Sequence, residues 1–209
     1  MNHLVMIADI IGSRQLANRG QAQAFLEAEL HTLSADRSQL ASPYTITLGD
    51  EFQAVFNSAN RAFPDILATL RALHPVGLRF ALGIGPLATP INPEQAIGMD
   101  GPAFYRARDL LAAMKKDKRT IAIAGLPADD GLQDSALGLL DQQIRKWQPN
   151  RLDILRFLLQ DSEVDTIAAN LDITEQSVYK NIREGGLDHA IQLIQALTHR
   201  MNAALAHMD

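Results

Sequence analysis

With 209 residues, 47% hydrophobic and 21% charged, the chain has the composition of an ordinary soluble globular protein, one large domain or two small ones. Its net charge of −5 gives no general pull towards nucleic acid or an anionic membrane, and the absence of cysteine excludes disulfides, thiolate metal sites and a thiol nucleophile. The first residues lack the basic start and long apolar core of a signal peptide, and no apolar run approaches the roughly 20 residues that span a bilayer, so a cytoplasmic protein with no membrane partner is expected.

Leu4 to Ile11 is apolar on both alternations, the pattern of a central strand buried on both faces, and Asp9 is the charge inside it. A Gly12-Ser13-Arg14 turn leads to a helix over Gln21 to Leu33, with Phe25, Leu26, Leu30 and Leu33 at helical spacing, and Asp36 to Pro43 reads as loop. Two short strands, Tyr44 to Leu48 and Phe52 to Phe56, then flank Gly49-Asp50, a tight hairpin tip followed directly by Glu51. Adjacent carboxylates repel and stay hydrated, which makes them poor packing residues and good ligands for a hard divalent cation. Asp9 supplies a carboxylate from a second segment, so β-strands carrying Asp9 and Asp50 are expected to lie side by side.

Asn57 or Ser58 is placed to cap a helix over Ala59 to Leu73, and Leu78 to Ile84 forms the next strand. Leu87 to Gly98, with Pro90 and Pro93, is irregular, and Asp100-Gly101-Pro102 starts a helix through Met114. Arg106, Arg108, Lys115 and Lys116 read as its solvated face. A charged turn, Lys115 to Arg119, precedes a last strand over Thr120 to Ala124. The order strand, helix, strand, strand, helix, strand, helix, strand predicts an α/β sandwich with one mixed sheet.

After Gly125-Leu126-Pro127 the pattern becomes wholly helical, which divides the chain into an α/β domain, 1–127, and an all-α domain, 128–209. Between Ser162 and Arg183 the spacing is that of a helix-turn-helix: Ala168 where two helices approach, Leu171 and Ile173 around the turn, Val178 and Ile182 on the inner face of the second helix. Thr174 is its N-cap, and Gln176, Ser177, Tyr179, Lys180 and Arg183 are suited to contact duplex DNA, although Glu163, Asp165, Asp172 and Glu175 crowd the same region. Two half-sites supply the contacts that one short recognition helix lacks, so a homodimer is expected. The closing helix, Leu187 to Met208, carries an apolar stripe at Ile191, Ile194, Leu197, Met201 and Leu205, either core or dimer seam.

Ile7-Ala8-Asp9-Ile10-Ile11-Gly12-Ser13-Arg14 resembles the first-strand motif of the class III nucleotidyl cyclases, and Leu48-Gly49-Asp50-Glu51-Phe52 resembles their Gly-Asp hairpin and still more that of the GGDEF diguanylate cyclases. Together with the helix-turn-helix, the whole resembles the SatD family, over most of the chain. The resemblance implies a cyclase-like, ferredoxin-like fold. It implies Mg2+ or Mn2+ held by Asp9 and Asp50 with their neighbours Ile10 and Glu51. The phosphates of a nucleoside triphosphate would lie at Ile11, Gly12, Ser13 and Arg14, with a helix N-terminus just beyond.

The departures are as specific. The base-reading Lys of such cyclases falls on Ile46, and their transition-state Asn and Arg fall on Tyr105 and Asp109 when the helix is aligned on Gly101. Arg106 and Arg108 are the candidate catalytic substitutes, out of register. Metal positions and neutralises phosphates, but cyclisation also needs charge stabilised as it develops. The sequence therefore favours a DNA-binding transcriptional regulator whose cyclase-like domain senses a metal-bound nucleoside triphosphate or a cyclic nucleotide. The alternative is an active nucleotidyl cyclase or nucleotidyltransferase using two divalent ions.

Overall fold

A strand as apolar as Asn2–Ile10 (β1) is stable only with a neighbour on each edge and a layer on each face. The computed structural model, which describes residues 1–117 and 119–206, gives it all four. β3 (Glu51–Phe56) and β4 (Leu78–Pro86) flank β1 antiparallel, β2 (Leu40–Ile46) lies outside β3, and β5 (Ile121–Ala124) runs parallel to β4. The sheet order is β2-β3-β1-β4-β5. Its first four strands, with α1 (Arg19–Ala35) and α2 (Ala62–Leu73), follow the ferredoxin-like βαββαβ path.

Side chains alternate along β1, so each face has its own layer. Leu4, Met6, Ala8 and Ile10 pack with Leu26 and Leu30 of α1 and with Phe63, Ile66 and Leu67 of α2. Val5 and Ile7 pack with Ala103, Phe104, Ala107 and Leu111 of α3 (Pro102–Asp117), which crosses the opposite face on its way to β5. This crossing is close enough to require glycine: a Cβ on Gly83 would lie 2.2 Å from the Ala103 carbonyl oxygen and 2.6 Å from the Ala107 nitrogen.

Several boundaries differ from the sequence expectation, among them the end of α3, which runs through Asp117 and so takes Lys115 to Asp117 out of the expected charged turn. Leu40 to Pro43 is strand rather than loop, because β2 is an edge strand with irregular register between Leu40 and Thr45, and an edge tolerates Pro43 without its N–H. The second helix starts at Ala62 rather than Ala59, and neither Asn57 nor Ser58 caps it. The Ala59 N–H instead donates to Asn202 Oδ1 at 2.8 Å, a partner 143 residues away that no local pattern reveals.

Beyond residue 127 come α4 (Leu132–Ile144), α5 (Pro149–Leu158), α6 (Val164–Leu171), α7 (Glu175–Gly185) and α8 (Leu187–Ala206). Ile167 and Ala168 of α6 and Val178 of α7 are buried, and the Ser177 N–H donates to the Thr174 hydroxyl to cap α7. Ile194, Leu197, Met201 and Leu205 of α8 are buried within the chain itself, so the apolar stripe is core rather than a dimer seam. Met208 at the end of the expected closing helix, and Lys118 in the expected charged turn, lie outside the described residues. Among those described, no helix is long and apolar enough to cross a membrane.

Candidate functional site

The register of the sheet sets three charges in a row. Asp9 pairs across β1–β3 with Glu51 and across β1–β4 with Arg79, and residues opposite one another in a sheet share a face. The hairpin tip folds back onto the end of β1. Gly49 takes the left-handed conformation, with φ of 69°, and the Asp50 carbonyl accepts from the Ile10 N–H at 3.0 Å. Ser13, buried just past β1, donates its hydroxyl to Asp50 Oδ2. The result is an open cleft of about 440 Å³ at the end of β1, between the hairpin and the turn that follows the strand.

Of the residues expected to bind metal, Asp9, Ile10, Asp50 and Glu51 all line this cleft. Of those expected at phosphates, Gly12, Ser13 and Arg14 line it and Ile11 does not. The Ile11 N–H donates to the Gly77 carbonyl at 2.8 Å, and its side chain lines a separate hollow beside Gly77 and Trp147. Nor does an α-helix directly follow these amides. Ser13–Gln15 is a single 3-10 turn, and α1 begins only at Arg19.

The carboxylates are not left bare. Only 10% of the Asp9 side chain is exposed, and it sits between two cations: Arg79 Nη1 at 3.1 Å from Oδ1 and Lys115 Nζ at 3.4 Å from Oδ2. Glu51 accepts from Arg108 Nη1 at 2.7 Å and from the Thr47 hydroxyl at 3.2 Å. Unpaired carboxylates at that depth would carry a large desolvation cost, so these pairs are what allow two of them on adjacent strands. The Arg79 hold is partial, through one nitrogen, and its buried Nε has no hydrogen-bond partner among the described residues.

The remaining candidates separate clearly. Arg106 donates to the Ile84 carbonyl, beside Gly85 and away from the cleft, whereas Arg108 reaches Glu51 at its rim. Tyr105 donates to Asp100 at 2.6 Å, Asp109 is exposed, and Ile46 packs half-buried against the core. Sequence reasoning missed Arg79; Lys115 is exposed on α3 as expected, but the sequence did not show that its Nζ reaches Asp9. Arg79 did carry a signal, a charge inside the apolar strand Leu78-Arg79-Phe80-Ala81-Leu82, which is the same signal that singled out Asp9.

Asp9, Asp50, Glu51 and the Ser13 hydroxyl offer the oxygen donors that hard cations take, set among Arg14, Arg79 and Lys115. Mg2+ is usually held by one or two carboxylates while a ligand's phosphates complete its shell, not by a closed protein cage. No cluster of three or more His, Cys, Asp or Glu able to close a metal site occurs among the described residues, and the carboxylates of Asp9 and Asp50 fit the open kind of site. On α7, Thr174 and Ser177 are engaged in the cap, while Gln176, Tyr179, Lys180 and Arg183 are exposed. Lys180 Nζ lies 4.0 Å from Glu184, and Arg183 edges an apolar hollow between α4 and α8.

Residues 3–196 match the model of the SatD family. No curated protein matches the sequence. Among solved structures, two of a bacterial light-regulated adenylyl cyclase are similar at 17% and 16% identity, with TM-scores of 0.44 and 0.41. Each alignment covers 59% of this chain and 43% of the other, so the chain spans less than half of that cyclase. The catalytic core of a rhodopsin-guanylyl cyclase with converted specificity, in complex with ATPαS, is similar at 18% identity and a TM-score of 0.36, over 63% of this chain and 90% of that one.

Proposed function

The chain belongs to the SatD family, and from that premise and the cleft at the end of β1 we propose a transcriptional regulator in two parts. Residues 1–127 sense a nucleoside triphosphate or cyclic nucleotide together with Mg2+ or Mn2+. Residues 128–209 bind duplex DNA as a homodimer, with α6 and α7 as a helix-turn-helix. The observation that carries the sensing role is the contrast between the cleft and α3. Asp9, Asp50, Glu51 and the Gly12-Ser13-Arg14 turn converge on one cleft, while Tyr105 is tied to Asp100 and Arg106 to the Ile84 carbonyl.

Bound divalent metal would neutralise and orient phosphates. The chain's own part is to offer carboxylates from two strands, to hold Asp50 in place through the Ser13 hydroxyl, and to present Arg14 at the cleft wall. Tyr105 and Arg106, at or beside the expected transition-state positions on α3, are engaged elsewhere, which supports binding without turnover. Arg108, 2.7 Å from Glu51, favours the second reading, a nucleotidyl cyclase or nucleotidyltransferase in which that guanidinium moves to the reacting phosphate.

Incubation with each nucleoside triphosphate and Mg2+ or Mn2+ separates the two. The sensor reading expects a raised melting temperature, by mass action of a ligand that binds the folded state, and no product on chromatography. A cyclic nucleotide or pyrophosphate accumulating in proportion to enzyme would replace it with the second reading.

A further inference from the structure

Asp9 and Asp50 line the same cleft, yet they are held in opposite ways. Asp50 has a neutral hydroxyl on it, from Ser13, while Asp9 has two cations. Those cations differ in what they are free to do. Arg79 is fixed in β4, with 13% of its side chain exposed. Lys115 hangs from the last turn of α3, 54% exposed, on a flexible four-carbon stem, and its 3.4 Å contact is the looser of the two. A divalent cation on Asp9 would repel an ammonium resting on the same carboxylate. Lys115 then needs another anion, and a phosphate-bearing ligand brings one into the cleft.

We propose that Lys115 is an exchangeable counter-ion of Asp9: it neutralises the carboxylate in the ligand-free protein and turns to the ligand's phosphate when a divalent cation takes Asp9. This rests on the metal–nucleotide reading above and adds a selection rule to it. A bare ion has to displace Lys115 and leaves the ammonium without a partner. A metal–phosphate ligand replaces both charges at once, so the cleft favours it over the free ion. Arg79 stays beside Asp9 throughout, held in the sheet.

The test compares two probes, Mn2+ alone and Mn2+ with inorganic triphosphate, by titration calorimetry and by the electron paramagnetic resonance signal of free Mn2+. It uses the full chain as wild type, Lys115→Ala and Lys116→Ala, the last being an exposed neighbour that controls for removal of one positive charge. An ion pair this open to solvent is a weak competitor, so Lys115→Ala is expected to bind bare Mn2+ about threefold tighter. Without its charge-assisted hydrogen bond to phosphate, the same variant is expected to bind Mn2+ with triphosphate about tenfold more weakly. Opposite signs on the two probes, absent from Lys116→Ala, support the exchange. Wild type binding Mn2+ with triphosphate while Lys115→Ala behaves like Lys116→Ala overturns the exchange and leaves the sensor reading intact. Wild type binding neither probe overturns both.

Discussion

At the scale of single residues, Asp50 is the carboxylate most open to a ligand. Its side chain is half-buried at the hairpin tip and touches the Ser13 hydroxyl, whereas Asp9 is enclosed by Arg79 and Lys115. On the proposed sensor reading, Asp50→Ala is therefore expected to abolish any rise in melting temperature with metal and nucleotide. It removes one hydrogen bond, so the unliganded protein should lose only about 1 kcal/mol, read from denaturant melts. A ligand-induced shift that survives the substitution places the site elsewhere. His3 shows a different effect of burial. It lies on the α3 side of β1, its Nδ1 has no hydrogen-bond partner among the described residues, and burial, with help from the N-terminal charge, lowers its pKa below the ordinary 6.5. Below that pH the unfolded chain takes up a proton that the folded one refuses, so stability falls as pH drops from 6.5 towards the lowered value. His3→Gln is expected to flatten the melting temperature across that window; an unchanged slope would assign the proton uptake to another group.

At the scale of elements, α3 has two tasks. Its apolar side, Ala103, Ala107 and Leu111, closes the sheet face over Val5 and Ile7, and its last turn delivers Lys115 to the cleft. The close seat on Gly83 holds the Ala103 and Ala107 turns of α3 against the sheet. The pair α6 and α7 is built the other way round, with a small buried interface, Ile167, Ala168 and Val178, and an exposed outer side. Tyr179, Lys180 and Arg183 are exposed there, with Arg183 three residues after Lys180 and four after Tyr179, spacings at which helical side chains are neighbours. If this is the DNA face, Lys180→Ala with Arg183→Ala should weaken binding to a cognate fragment and reduce the slope of log affinity against log salt by about two, one for each phosphate no longer neutralised. Fragments selected genome-wide by the wild type, and equally by the double variant, would make this helix pair scaffold.

At the scale of the whole molecule, the two parts share one interior. Leu4 and Leu82 of the sheet, Leu67 of α2, Ile154 of α5 and Met201 of α8 belong to a single apolar cluster that crosses residue 127. Polar links cross it too: Arg71 to the buried Asp153 at 2.9 Å, the Thr120 N–H to Asp141 at 2.8 Å, and the Ala59 N–H to Asn202. Arg71 is half exposed and Asp153 also holds Arg156, so it is the shared apolar cluster that chiefly couples the two parts. A single cooperative transition is expected. The sole tryptophan, Trp147, is buried in the segment joining α4 and α5, beside Ile11 and Gly77 of the α/β part, so its fluorescence reports on the place where the two parts meet while far-ultraviolet circular dichroism reports on the whole chain. Coincident melts by the two probes match a shared core, and separated midpoints would show two units that unfold independently.

The sequence by itself determined the elements and the two acidic motifs. Periodicity marks β1 and α8, glycine and proline mark the hairpin and the loop after β4, and a charge in an apolar strand marks Asp9; all of these are local effects. Tertiary structure alone decided which charges meet. Arg79 lies opposite Asp9 through the register of β1 with β4, and Lys115 reaches it from the last turn of α3, which packs across the sheet over Val5 and Ile7. It also turned Ile11 away to Gly77 and directed the α8 stripe into the core. Those outcomes depend on strand register and helix placement, which are set by contacts between residues far apart in the chain.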